Sequence, residues 1–176
     1  MHLLAIAHAW CPVVSAWLLA VAMLLVIWLD GTRYIIPNSL NLALLALYAF
    51  DAFFLHLPFL HALVAAAPLL LVGLGLFALG LMGGGDVKLL AVLALWTGLT
   101  HVTGEFLLLT ALLGGVLVIV VMTLRFFART IYQPREGRVL PRLLTRKQPV
   151  PYGLAVAGAF LFLLVAGDVP ALPRLF

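Results

Sequence analysis

Hydrophobic positions fall into six runs separated by short breaks that carry Gly, Pro, Asp or Asn. The runs cover residues 12–29, 39–54, 61–82, 87–99, 105–125 and 152–167. They are rich in Leu and Ala and do not alternate apolar with polar, which predicts helices and not strands. A helix crosses the hydrocarbon core of a bilayer with about 20 mostly apolar residues, roughly 17–25. In lipid its backbone groups must also be satisfied within the segment. Most runs approach that length, and 87–99 is the short one. Breaks at Asp30-Gly31, Pro37-Asn38, Pro58, Gly83-Gly84-Gly85, Pro134, Pro149 and Pro151 supply turn chemistry. Residues 1–10 lack the basic start of a signal peptide and read as a lead-in to the first helix. The pattern predicts an all-α polytopic membrane protein, a bundle of about six transmembrane helices, folded as one domain over residues 1–176.

Composition agrees. Apolar residues make up 66% of the chain, charged residues only 9%, and the mean hydropathy is +1.26. A soluble domain carries about 25% charged residues, so this chain lacks the polar surface for a water-facing globule. The single cysteine, Cys11, has no partner for a disulfide framework or a zinc knuckle. The net charge of +4 is unevenly placed. Nine of the ten basic residues fall in the odd-numbered connections: Arg33, Lys88, and a run from Arg125 to Lys147. Positive residues favour the cytoplasmic side, so both termini are predicted outside. The basic connection at 126–150 suits attraction to anionic membrane lipid, about 1 kcal/mol per basic residue near the surface. A flap over a substrate is its second reading. Nucleic acid is not an expected partner, since no soluble domain presents the basic residues.

Six acids remain. Asp51, Glu105 and Asp168 read as solvated groups at outer helix ends, and Glu136 as a balance to nearby arginines. Asp30 closes the first run and Asp86 opens the fourth, at similar depth on the predicted cytoplasmic side. Ionisable residues in a membrane are functional suspects. Each could merely terminate its helix, although a helix C-terminus such as that of Asp30 favours cations. Hydrolysis by other routes finds little support. Ser15 and Ser39 sit in no nucleophile-elbow pattern, no HExxH occurs, and the five histidines fall on the outer side. Two close carboxylates can share a proton, one acting as base on water and the other as acid. No metal site and no cofactor is expected. Gly83-Gly84-Gly85 would allow unusual torsions and a close chain approach beside Asp86, or simply break the helix. Gly80 with Gly84, and Gly153 with Ala157, have helix-packing spacing.

Gly83-Gly84-Gly85-Asp86-Val87-Lys88 fits a GxGDxK signature. Asp30-Gly31-Thr32-Arg33-Tyr34-Ile35-Ile36-Pro37-Asn38 pairs an aspartate with an IPN element, and Pro151-Tyr152-Gly153-Leu154-Ala155 fits P-[YF]-G-x-A. Together these blocks resemble the type IV prepilin peptidases, membrane aspartic proteases of the GxGD type. The resemblance implies cleavage of leader peptides from pilin, pseudopilin or Flp-type precursors at the cytoplasmic face of the inner membrane. Pilus or secretion components would be partners. It matches Asp30 and Asp86 to the catalytic pair, with Gly83, Gly85 and Lys88 in support. Arg33, Pro37, Asn38, Pro151, Tyr152 and Gly153 read as substrate contacts, Arg33 and Asn38 equally as interface anchors. The long members' paired CxxC region is missing, so the chain resembles the short tight-adherence or archaeal-like form, and methyl transfer is not expected. A different class, a small transporter or channel holding a cation between Asp30 and Asp86, uses the same acids. A secretion scaffold would need neither.

Overall fold

The computed structural model describes residues 2–131, 150–170 and 172–173, with side chains for 10–128, 150–170 and 172–173. Among them are six α-helices and no strand: α1 (His2–Arg33), α2 (Asn38–Phe54), α3 (Phe59–Ala78), α4 (Gly84–Thr97), α5 (His101–Ile131) and α6 (Gly153–Ala166). The chain is an all-α polytopic membrane protein. Helices α1, α3 and α5 are each long and apolar enough to cross a membrane.

Helix boundaries depart from the hydrophobic runs in informative ways. The helix α1 does not stop at Asp30-Gly31 but continues to Arg33. One glycine in a helix costs only about 1 kcal/mol, and the Thr32 hydroxyl donates back to the Trp28 carbonyl at 2.6 Å. The chain turns instead at Tyr34, whose φ is 58° and whose N–H donates to the Asp30 carbonyl at 3.0 Å. Asp30 therefore lies inside the helix, one turn from its end. Gly84 and Gly85 belong to α4, which places Asp86 in that helix's first turn. The helix α5 runs through Arg125, which is buried, to Ile131. Most of the basic connection expected at 126–150 lies outside the described residues.

Packing inverts the usual sidedness. The helix α3 buries Ala62, Ala65, Ala66 and Gly73 and turns Leu71, Val72 and Leu74 outward. Phe53 is 76% exposed and Leu71 69%. Such a surface is stable only where the solvent is lipid. Lipid tails are as apolar as leucine, so helices associate through close fit, and small residues at the contact permit it. Gly73 meets Val87 of α4 so closely that a Cβ there would stand 2.6 Å from Val87 Cγ1.

The helix α4 is the centre. It packs against α2, α3, α5 and α6, while α6 packs against α1, α4 and α5. Its side chains from Leu89 to Thr97 are largely buried. Tyr48 crosses Trp96 edge-on at 5.2 Å, and Phe106 crosses Phe160 edge-on at 5.8 Å. A cavity lies at each end of α4: one reaches Gly83 and Asp86, the other Trp96, Thr97 and Gly98.

Replacing Gly73 by Val should destabilise the bundle by about 1–3 kcal/mol through overpacking, read as a lower midpoint of thermal unfolding in detergent. Adding Val87→Ala should recover much of the loss, because it removes the methyl groups that Gly73 faces.

Candidate active site

The break before α4 builds the first half of the site. Gly83 is the N-cap of α4, with φ −73° and ψ 142°, and Asp86 stands three residues later. Gly83 has no side chain to cap the helix. Asp86 reaches back toward the Gly83 N–H, the reciprocal arm of a capping box. Its Oδ2 lies so near that a Cβ on Gly83 would meet it at 2.7 Å. None of Gly83, Gly84 and Gly85 has a positive φ; that conformation occurs at Gly80, Gly98 and Gly167. The expectation of unusual torsions is thus corrected: these glycines serve space. Gly85 presses on Ile36, whose Cβ would lie 3.1 Å from an added Cβ, and Gly84 lies against the Phe77 ring. Gly80 sits in a turn outside α3 and α4, and an added Cβ there would meet nothing within 4 Å, so Gly80 and Gly84 do not form one helix-packing face.

The second half comes from α1 and α6. Asp30 is buried, although a helix C-terminus is unfavourable for an anion. The start of α6 compensates. Backbone N–H groups at Gly153 and Leu154, among the amides left free at a helix start, are directed at the Asp30 carboxylate. Its Oδ2 is buried and closes no hydrogen bond among the described residues. Gly153 allows the approach: a Cβ there would stand 2.7 Å from Asp30 Oδ2 and 2.7 Å from Ile36 Cδ1. Pro151 and Tyr152 lead into this helix start and line the same space.

Asp30 and Asp86 line one cavity of about 280 Å³ together with Tyr34, Met82, Gly83 and the segment Val150–Tyr152. Each carboxylate lies within electrostatic reach of the other. Two helix N-termini, of α4 and α6, point at the pair, and such ends favour negative charge. The first turn of α2 clamps this arrangement. Asn41 Nδ2 donates to the Gly85 carbonyl at 3.4 Å, and Lys88 Nζ donates to Asn38 Oδ1 at 2.8 Å.

The remaining expected residues lie outside the cavity lining. Lys88 is exposed and bonds Asn38, so its observed partner is an amide and not a carboxylate. Arg33 is exposed, its guanidinium 5.6 Å from the centre of the Trp28 ring. Pro37 is the N-cap of α2. Two contributors escaped the sequence reading. Tyr34 bends the chain into the cavity wall, and its unusual φ leaves no mark in composition. Asn41 has the helix spacing from Asn38 that could have flagged it.

Asp51 overturns an expectation. It is fully buried and not a solvated helix end. Ser15 Oγ donates to its Oδ1 at 2.6 Å and Trp96 Nε1 to its Oδ2 at 3.3 Å, with Cys11 Sγ 4.0 Å from Oδ1. It ties α1, α2 and α4 together at the end remote from Asp86. Its signal was an acid inside the unbroken apolar run 43–54. Glu105 and Asp168 are exposed, as expected. Asp51→Ala would strand the Ser15 and Trp96 donors, at about 1–3 kcal/mol for a buried unsatisfied group. Thermal unfolding in detergent should show that loss, and Asp51→Asn, which keeps acceptor capacity, should show less.

A model of the type IV leader peptidase family matches residues 17–123, more than half of the 176-residue chain and inclusive of Asp30 and Asp86. No curated protein and no solved structure matches the chain. On the strength of that match, the chain belongs to the type IV leader peptidase family, aspartic-type peptidases that act on prepilin-like substrates.

Proposed function

We propose that this protein removes leader peptides from type IV pilin, pseudopilin or Flp-type precursors, with Asp30 and Asp86 as its catalytic pair. The observation that carries the reading is the convergence of these two carboxylates in one cavity under the starts of α4 and α6. Neighbouring carboxylates cannot both ionise easily, so the pair holds one proton. The ionised member takes a proton from water while the water oxygen bonds to the scissile carbonyl carbon. The protonated member gives its proton to the carbonyl oxygen, completing a neutral diol. Collapse of the diol breaks the C–N bond: the leaving nitrogen takes a proton from the protonated member, and one diol hydroxyl returns its proton to the ionised member as the carbonyl re-forms. Both products leave with the pair again sharing one proton.

The excess of basic residues in the odd-numbered connections supports a cytoplasmic position for this end, in the inner membrane of a prokaryote with both chain termini outside. Leaders would then reach the cavity without crossing the bilayer. Gly83 and Gly153 give each carboxylate room. Gly85, with the Lys88–Asn38 bond, steadies the α4 start. Pro151 and Tyr152, which line the cavity, and Arg33, Pro37 and Asn38 outside its lining remain the candidate substrate contacts. The chain reads as the short, Flp-type form.

Membranes containing the protein should shorten a co-expressed Flp-type pilin precursor, seen as a mobility shift and a new N-terminus by mass spectrometry. Asp30→Asn and Asp86→Asn should each abolish the shift. Processing that survives in both single variants would remove the pair from the mechanism. Gly153→Ala should cut the rate about a hundredfold, the scale set by an ångström of misplacement, while the unfolding midpoint stays close to that of the parent.

A further inference from the structure

Outside the carboxylate cavity, a groove of about 590 Å³ lies between α5 and the end of α3. The helix α3 packs on α4, and α5 packs mainly on α6, so the two outer helices stand apart. The groove follows α5 from Thr110 to Ile119, about 14 Å at 1.5 Å per residue. Its lining is almost wholly apolar. Small residues on α5, Gly114 and Gly115, make it deep: the Tyr152 ring rests against Gly114, 3.6 Å from where a Cβ would be, while Gly115 has open space before it.

Two observations say what fits there. Leu81, Met82 and Tyr152 line both this groove and the cavity holding Asp30 and Asp86, so the two adjoin along shared walls. The Thr110 hydroxyl in its wall is buried with no hydrogen-bond partner among the described residues. An apolar helix that enters beside glycines can bring its backbone close, near enough for the Thr110 side chain to turn its hydroxyl onto a carbonyl. A lipid tail can satisfy neither the hydroxyl nor the adjacency to a peptide-cutting site.

We propose that the groove between α3 and α5 docks the apolar membrane-spanning helix of the precursor and thereby presents the leader junction to the two carboxylates. This rests on the peptidase reading above. The groove thus supplies binding energy away from the reacting bond, and the leader needs little affinity of its own.

The test pairs trapping with kinetics in the full chain. A benzophenone side chain at Gly115 or Val118 should cross-link an Flp-type precursor on illumination, whereas one at lipid-facing Leu24 of α1 should not. Gly115→Leu, which fills open space, should raise KM for the membrane-bound precursor about tenfold with kcat retained. Cleavage of a soluble junction peptide that stops before the apolar helix should be unchanged. Trapping of only lipid or of a second copy at Gly115, trapping from Leu24 alone, or equal loss on both substrates would overturn the docking site. Failure of the peptidase reading shows differently: the unmodified chain would cut neither substrate, while cross-linking still reports whether the groove holds the helix.

Discussion

Inside a lipid-facing bundle, a polar atom must find its partner within the protein, because the surrounding hydrocarbon offers none. The positions of the acids follow from that constraint. Asp51 meets it with side-chain donors, Ser15 and Trp96. Backbone amides at helix starts face Asp30 and Asp86, although Asp30 Oδ2 closes no hydrogen bond, and among the described residues no cation lines their cavity. An amide-held carboxylate remains available to react, whereas one neutralised by lysine or arginine does not. The same requirement makes Gly83 and Gly153 necessary, since a methyl group at either position would displace the carboxylate it faces.

The division between centre and rim follows from the same solvent. With no hydrophobic drive between helices, contacts form where side chains are small. Ala62, Ala65, Ala66 and Gly73 therefore draw α3 onto α4, and its leucines are left to the lipid. The helix α5 is fastened mainly along α6, which leaves Gly115 uncovered at the groove. Close fit at one face of each outer helix and vacancy at another have one origin.

Much of this was legible in the sequence. Six apolar runs became six helices, because run length and composition are what a membrane selects. The two aspartates at opposite ends of different runs came to one cavity, since successive spans return the chain to the same face. Legibility failed where an answer depended on a third element. Asp51 looked like a helix end because its partners lie 36 and 45 residues away in sequence. Gly31 looked like a stop, yet one glycine costs a helix too little to end it, and α1 continues to Arg33. The glycines before Asp86 suggested special torsions, but their use is clearance, which only neighbouring atoms reveal. Pro151-Tyr152-Gly153 could be named by resemblance, although nothing in that tripeptide says that the Gly153 amide, with that of Leu154, faces Asp30.

The brevity of α4 has a further consequence. Fourteen residues rise only about 21 Å, well short of the roughly 30 Å of hydrocarbon that the taller rim must match. A short post inside a longer palisade leaves a well at each mouth, which is where the two cavities lie. At about 280 Å³ the acid-lined well has room for several waters beside Asp30 and Asp86, each needing about 30 Å³.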